Sequence, residues 1–444
     1  MTTLMPDAPP VTPATVHDVL RRSLLVDGFN MVLDLDASSG SRLVDARDGT
    51  AYLDLFTFFA SNALGMNHPA LAHDPVFRSE LLTAALNKPS NSDVYSEPMA
   101  RFVATFARVL GDPGLPHLFF VEGGALAVEN ALKVAFDWKS RWNEAHGLDP
   151  RLGTKVLHLR DAFHGRSGYT MSLTNTDPVK VARFPQFAWP RISNPYLSEG
   201  TDVAGRERVT LAEARAAFEL HPHDIACFVM EPIQGEGGDH HFRPEFLQAM
   251  QALCHEHDAL LVLDEVQTGA GLTGTAWAFQ QLGVQPDVVA FGKKTQVCGV
   301  MAGGRVDEVP DNVFAVGSRI NSTWGGSLTD MVRARRILEV VEADGLIAGA
   351  AALGPVLLDL LRELALSHPE VTDVRGRGLM CAFSLPDAAL RDEVLTALRE
   401  DEHVLLLGCG TRSVRFRPAL TVSLEDLAAG VAALDRVLSR KASA

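Results

Sequence analysis

The chain has 444 residues, 47% hydrophobic and 21% charged, the profile of a globular protein with one large or two moderate domains and an ample core. Its formal net charge of −15 argues against broad binding to nucleic acid or anionic membranes. Five cysteines without a C-x-x-C pair argue against a disulfide framework or a cysteine metal site and for a reducing, cytoplasmic compartment, and neither a signal peptide nor a membrane-spanning apolar run is visible.

Residues 1–14, rich in Pro and Thr, read as a loose arm. TVHDVLRRSLL then has helical spacing, and MVLDLDASSGSRLVDARDGTAYLDL reads as short strands broken by Ser/Gly and Asp-Gly turns. From about residue 97, helices alternate with the apolar runs HLFFVE, KVLHLR, IACFVME, ALLVLDE and VVAFGK. Runs that are apolar throughout and separated by helices belong to a parallel sheet covered on both faces. After about residue 331 come the helices TDMVRARRILEVVEADGLI and PVLLDLLRELAL. A smaller α+β part follows, with VRGRGLMCAFSL, HVLLLGC, SVRFRPALTVS and a last helix for which Ser423 and Asp426 form a capping signature. The expected architecture is α/β: a large domain over 67–331 with a mostly parallel sheet, and a smaller α+β domain drawn from 1–66 and 332–444.

In open α/β sheets ligands sit outside the carboxyl ends of the strands, so the residues just after the apolar runs matter most. After HLFFVE come Gly123, Gly124 and Ala125 and then a helix whose stripe Ala127, Ala131, Val134 and Trp138 faces the core, with Lys133 and Asp137 placed to pair on the other face. Two glycines before a helix N-terminus suit an anion, or are simply a strand-to-helix turn. After KVLHLR, Phe163 could cover a planar ring and Arg166 could hold a carboxylate, against the plainer reading of a core Phe and a surface Arg. Glu231 and Glu236 sit in the glycine-rich loop after IACFVME. Asp264, Val266 and Gln267 follow LLVL, and Lys293 and Lys294 follow VVAFG. A lysine at the end of a buried strand is costly unless it is paired, desolvated or covalently used. One cofactor explains lysine, acid, aromatic and helix N-terminus together: pyridoxal 5′-phosphate, which needs a lysine for its Schiff base and an acid for its pyridinium nitrogen.

LDEVQTGAGLTG, GMNHP, EPIQGEGG, PDVVAFGK and NSTWGG, in that order, resemble the class III, ornithine/GABA-type aminotransferases of PLP fold type I over nearly the whole chain. LNKPSNSDVYS, FFVEGGALAVENALK, HGRSGYTMSLTNT and FGKKTQVCGVMAG are similar to the actinobacterial branch that takes the ε-amine from L-lysine and passes it to 2-oxoglutarate, yielding L-glutamate. The resemblance implies Lys293 as the cofactor lysine, chosen over the adjacent Lys294 because P-D-x-x-x-x-G-K ends on it. It also implies Asp264 at the pyridinium, Val266 and Phe163 on the two ring faces, Gln267 at the phenolate oxygen, and the backbone of Gly124 and Ala125 at the phosphate. Thr323 would reach the phosphate from a neighbouring subunit, in a homodimer with shared sites. Arg166 would hold the distal carboxylate, and Glu236 would mask Arg415 while lysine is bound and release it for glutamate. Asn321 and Phe59 would contact substrate, and Glu265 is assigned no chemistry. No metal, nucleic acid or membrane is expected. The competing readings are another ω-aminotransferase, using ornithine or 4-aminobutyrate, and an inactive scaffold of the same fold.

Overall fold

The computed structural model describes residues 10–442. Most of the Pro/Thr-rich arm therefore lies outside the described residues; its last part enters a short turn, Pro13–Thr15, and the helix Val16–Arg21.

Seven strands make the central sheet, in the order His117–Val121, Cys298–Ala302, Val288–Phe291, Leu260–Asp264, Ile225–Met230, Lys155–Leu159 and Arg191–Ile192. All five expected runs are present. Leu260–Asp264 and Ile225–Met230 are buried at every position, as strands covered on both faces must be. Arg191–Ile192 and Cys298–Ala302 were not foreseen. Cys298–Ala302 runs antiparallel to both neighbours, so His117–Val121 beyond it points the same way as the remaining strands. The loops after residues 121, 159, 230, 264 and 291 consequently open on one edge of the sheet.

The helix Gly124–Ala145 lies on this sheet, with Ala127, Ala131, Val134 and Trp138 buried as its spacing predicts. The expected Lys133–Asp137 pair does not form. Asp137 instead meets Arg141 at 3.2 Å and Arg319 at 3.1 Å, two guanidiniums that offer it a fixed donor fork.

Strands from both ends of the chain share a second sheet: Leu33–Ser39, Arg42–Asp45 and Ala51–Asp54 pair antiparallel, and Val404–Leu405 joins parallel to Ala51–Asp54. A third, antiparallel sheet holds Thr372–Arg377, Met380–Ser384, Ser413–Phe416 and Leu407–Cys409. The helices Leu328–Ala343 and Leu346–Ser367 and the last helix, Leu424–Ala442, complete this part. The Asp426 N–H donates to Ser423 Oγ at 3.0 Å, the cap read from the sequence. The Asp426 carboxylate turns instead to Arg42, at 2.8 Å. Among the described residues no single helix is long and apolar enough to cross a membrane.

Candidate active site

A cleft of about 450 Å³ opens at the carboxyl edge of the central sheet. Gly124, Ala125, Phe163, Arg166, Glu236, Asp264, Val266, Gln267, Lys293, Arg415 and Phe59 all line it. They come from segments far apart in sequence, brought together because each follows a strand of one sheet or packs against its end.

Lys293 follows the strand Val288–Phe291 in a left-handed backbone conformation, φ 54°. Its amine lies 6.0 Å from the centre of the Phe59 ring. Burial first, and then the positive charges of Arg415 and Arg417, lower its pKa to about 8. Lys294 turns away from the cleft and donates to the Ala60 carbonyl at 3.0 Å. The geometry thus separates the two lysines: one faces the cleft, the other ties down the chain behind Phe59.

Asp264, at the end of its strand, accepts from the Val266 N–H at 3.0 Å and meets His164 Nδ1 at 2.8 Å. His164 is buried, and among the described residues its Nε2 has no hydrogen-bond partner. Burial works to strip its proton, but the hydrogen bond and charge of Asp264, with Glu231 beyond, hold its pKa above the usual range. Glu231 also lines the cleft. Its two oxygens accept from the N–H groups of Phe163 and Gly235, each at 3.0 Å, so one carboxylate spans the aromatic wall and the Glu236 loop. Burial pushes its pKa up to about 7.

Glu236 sits between two cations. One oxygen accepts from Arg415 Nη2 at 2.8 Å and the other from Lys180 at 2.7 Å. Burial opposes its charge, but Arg415 and Lys180 prevail and lower its pKa. Arg415 is 1% exposed, and among the described residues its Nε and Nη1 have no hydrogen-bond partner. A buried guanidinium that lines the cleft and has donors to spare suits an incoming carboxylate. Arg166 stands at the exposed mouth and, among the described residues, makes no hydrogen bond or ion pair.

Sequence reasoning assigned no role to His164, Glu231 or Lys180. His164 and Glu231 lie beside residues that were singled out, and being at a strand end was the available signal. Lys180 ends the short 3-10 turn Pro178–Lys180, away from any strand end, where position carries no such information. Thr323 and Asn321 are not in the cleft of their own chain. They are exposed on a loop fastened elsewhere: the Thr323 carbonyl accepts from Ser90 Oγ at 2.5 Å and the Ser322 carbonyl from Ser92 Oγ at 2.8 Å. Glu265 is structural, as expected: it accepts from the N–H groups of Ala278 at 3.0 Å and Phe279 at 2.8 Å and from the Thr268 hydroxyl.

The donor set fits pyridoxal phosphate. A Cβ on Gly124 would stand 3.0 Å from Val266 Cγ1, a contact tight enough that Val266 would have to shift. The first N–H groups of the helix Gly124–Ala145 have no intrahelical partner and favour an anion. Phe163 and Val266 offer apolar surface for a ring, and Asp264 and Lys293 its acid and amine.

The class-III aminotransferase family profile matches residues 26–438. The chain is 68% identical to an L-lysine-epsilon aminotransferase of Mycobacterium bovis over 97% of this chain and 96% of that one. To its counterpart from Streptomyces clavuligerus it is 61% identical over 94% and 93%. Among solved structures, a lysine aminotransferase from M. tuberculosis in the internal aldimine form superposes with a TM-score of 0.96 at 68% identity, covering 97% of this chain and 100% of that one.

Proposed function

The chain belongs to the class-III aminotransferases, and from that premise we propose that it transfers the ε-amino group of L-lysine to 2-oxoglutarate, with pyridoxal 5′-phosphate as cofactor. The products are 2-aminoadipate 6-semialdehyde, which closes on its own amine to a piperideine carboxylate, and L-glutamate. The observation that carries this reading is Glu236 held between Arg415 and Lys180. One cleft must accept lysine by an end that bears no carboxylate and then 2-oxoglutarate by an end that does. A buried arginine covered by a movable acid serves both.

When bound, pyridoxal phosphate supplies the electron sink that makes the amine-bearing carbon acidic and carries the amino group between the half-reactions. Lys293 Nζ takes the proton from that carbon, a task suited to an amine whose pKa of about 8 leaves a useful free-base fraction near neutrality. Asp264, steadied by His164, holds a proton on the ring nitrogen. Gly124 and Ala125 hold the phosphate by their N–H groups, Phe163 and Val266 exclude water from the ring faces, and Gln267 meets the phenolic oxygen. Arg166 holds the carboxylate remote from the reacting carbon. In the first half-reaction Glu236 neutralises Arg415; in the second it moves aside, and the Arg415 guanidinium takes the near carboxylate. Phe59 packs along the substrate chain.

The protein works as a homodimer in this reading. Thr323 and Asn321, exposed on their own chain, reach the partner's cleft, and exposed apolar residues that include Leu82, Leu86, Val94, Tyr95 and Trp324 suit a contact surface. The five cysteines are all free thiols, which suits the cytoplasm.

Separate half-reactions of Glu236→Ala test the assignment. The lysine half-reaction is expected to slow by roughly 100-fold, about 2.7 kcal/mol, with the glutamate half-reaction within about tenfold of normal. Equal losses in both would overturn it.

A further inference from the structure

Behind the cleft lies a second arginine that the proposed mechanism does not use. Arg417 is 0% exposed, two residues beyond Arg415, and each of its three guanidinium nitrogens donates a hydrogen bond. Nε donates to Gln267 Oε1 at 3.0 Å, Nη1 to the Phe416 carbonyl at 2.8 Å and Nη2 to Asp239 Oδ1. Asp239 is itself 0% exposed. The Arg417 backbone is equally fixed: its N–H donates to the Leu55 carbonyl at 2.7 Å and its carbonyl accepts from Thr57 Oγ1 at 2.5 Å.

Gln267 is symmetric in shape, and its amide could present either end to the cleft. A guanidinium has donors and no acceptor, so the end facing Arg417 must be the oxygen. The planar amide then directs its NH2 away from Arg417. Among the described residues that NH2 has no hydrogen-bond partner, and Gln267 lines the cleft. Gly235 allows the packing, because a Cβ there would sit 2.4 Å from Gln267 Oε1. A reversed amide would set donor against donor and forfeit a charge-assisted hydrogen bond.

We propose that Arg417 is a positioning residue: it locks the Gln267 amide with its oxygen inward, so that only a donor faces the phenolic oxygen of the cofactor ring and favours that oxygen as an anion. The proposal rests on the cofactor assignment above. It gives the pair of arginines in SVRFRPAL distinct work, Arg415 toward substrate and Arg417 toward cofactor through Gln267.

The test is the pH titration of the visible absorption band of the cofactor-loaded protein, in wild type, Gln267→Glu, Arg417→Lys and the double variant. Gln267→Glu can still accept from Arg417 but has no NH2. Arg417→Lys keeps the charge opposite Asp239 but loses the Nε that orients the amide. Each single variant is expected to raise the midpoint of the band by about one pH unit, a tenfold loss of preference for the anion. In the Gln267→Glu background, Arg417→Lys is expected to add almost nothing, the non-additivity of a shared route. An equal Arg417→Lys shift in both backgrounds would overturn the proposal, since it would mark a field effect independent of Gln267. If Arg417→Lys does not fold, Asp239→Asn, which loosens the far side of the same guanidinium, is read in its place with the same criteria. A normal wild-type band that these variants leave unmoved would overturn this proposal alone. No band in wild type would overturn the cofactor assignment, and this proposal with it.

Discussion

Lys293 and Lys294 are neighbours with the same side chain, and the fold gives them different work. Lys293 faces the cleft; Lys294, 2% exposed, holds the Ala60 carbonyl. Lys293→Ala is expected to abolish the cofactor band and lower turnover at least ~10³-fold, about 4 kcal/mol. Lys294→Met should keep the band and raise the KM for lysine severalfold, because the turn bearing Phe59 loses its tie. Absorbance and initial rates of the two variants separate these outcomes. The Lys293 pKa of about 8 also sets a sign: below it the amine is protonated and does not attack, and above it the amine is free. The rate at which cofactor-free protein captures pyridoxal phosphate should therefore rise with pH through about 8 and level off beyond; a rate that falls over that range would contradict the assignment. Lys293 and Asp264 were legible in the sequence because each ends an apolar strand, where an ionisable group needs a reason. Lys180 and Arg417 were not, since the first ends a short turn away from any strand end and the second finds its partners, Gln267 and Asp239, only across the fold.

At the level of elements, the turn Thr57–Ala60 is the least expected. Its four residues all have positive φ, from 42° to 70°, a left-handed turn built from Thr, Phe, Phe and Ala. Such a conformation costs roughly 1–2 kcal/mol per non-glycine residue. It persists because its surroundings fix it: Asp54 Oδ1 accepts from the N–H groups of Phe56 and Thr57 at 3.0 and 2.7 Å, Thr57 Oγ1 donates to the Arg417 carbonyl, and Lys294 closes the far end. The result turns Phe59, 52% exposed, into the cleft. Asp54→Ala would leave two buried donors unpaired and is expected to cost about 1–3 kcal/mol of stability, read from denaturant unfolding, along with a raised KM for lysine. FTFFASN contains no glycine, proline or asparagine ahead of the bend, so local rules gave no sign of this turn. The strand Cys298–Ala302 escaped notice for a similar reason, as five residues with a glycine and no alternation read as loop.

For the whole molecule, the proposed division of the site between two chains is the feature to test. Thr323 and Asn321 belong to a loop that Ser90 and Ser92 pin on the outside of the chain, while Lys293 and Asp264 lie inside. If clefts are completed across a dimer, mixed chains complement each other. Lys293→Ala and Thr323→Ala protomers, unfolded and refolded together, should regain up to about a quarter of the wild-type sites, because half of random dimers are hybrid and each hybrid has one intact cleft. Activity that merely averages the two parents would contradict a shared site. The resemblance of NSTWGG was legible in the sequence, but the position of its loop was not, since hydroxyl-to-carbonyl bonds between residues this far apart leave no periodic trace.

The order of strands in the central sheet also sets a timetable for biosynthesis. His117–Val121, which leads into Gly124, has one neighbour in that sheet, Cys298–Ala302, and that neighbour follows Lys293. Ala51–Asp54, which leads into Phe59, has the early neighbour Arg42–Asp45 and gains its second, Val404–Leu405, only late. A chain emerging N-terminus first cannot seat His117–Val121 in the central sheet until its late partner has left the ribosome. Gly124, after the early strand, and Lys293, before the late one, are thus brought together in one event, and a nascent chain halted before that strand lacks the pairing.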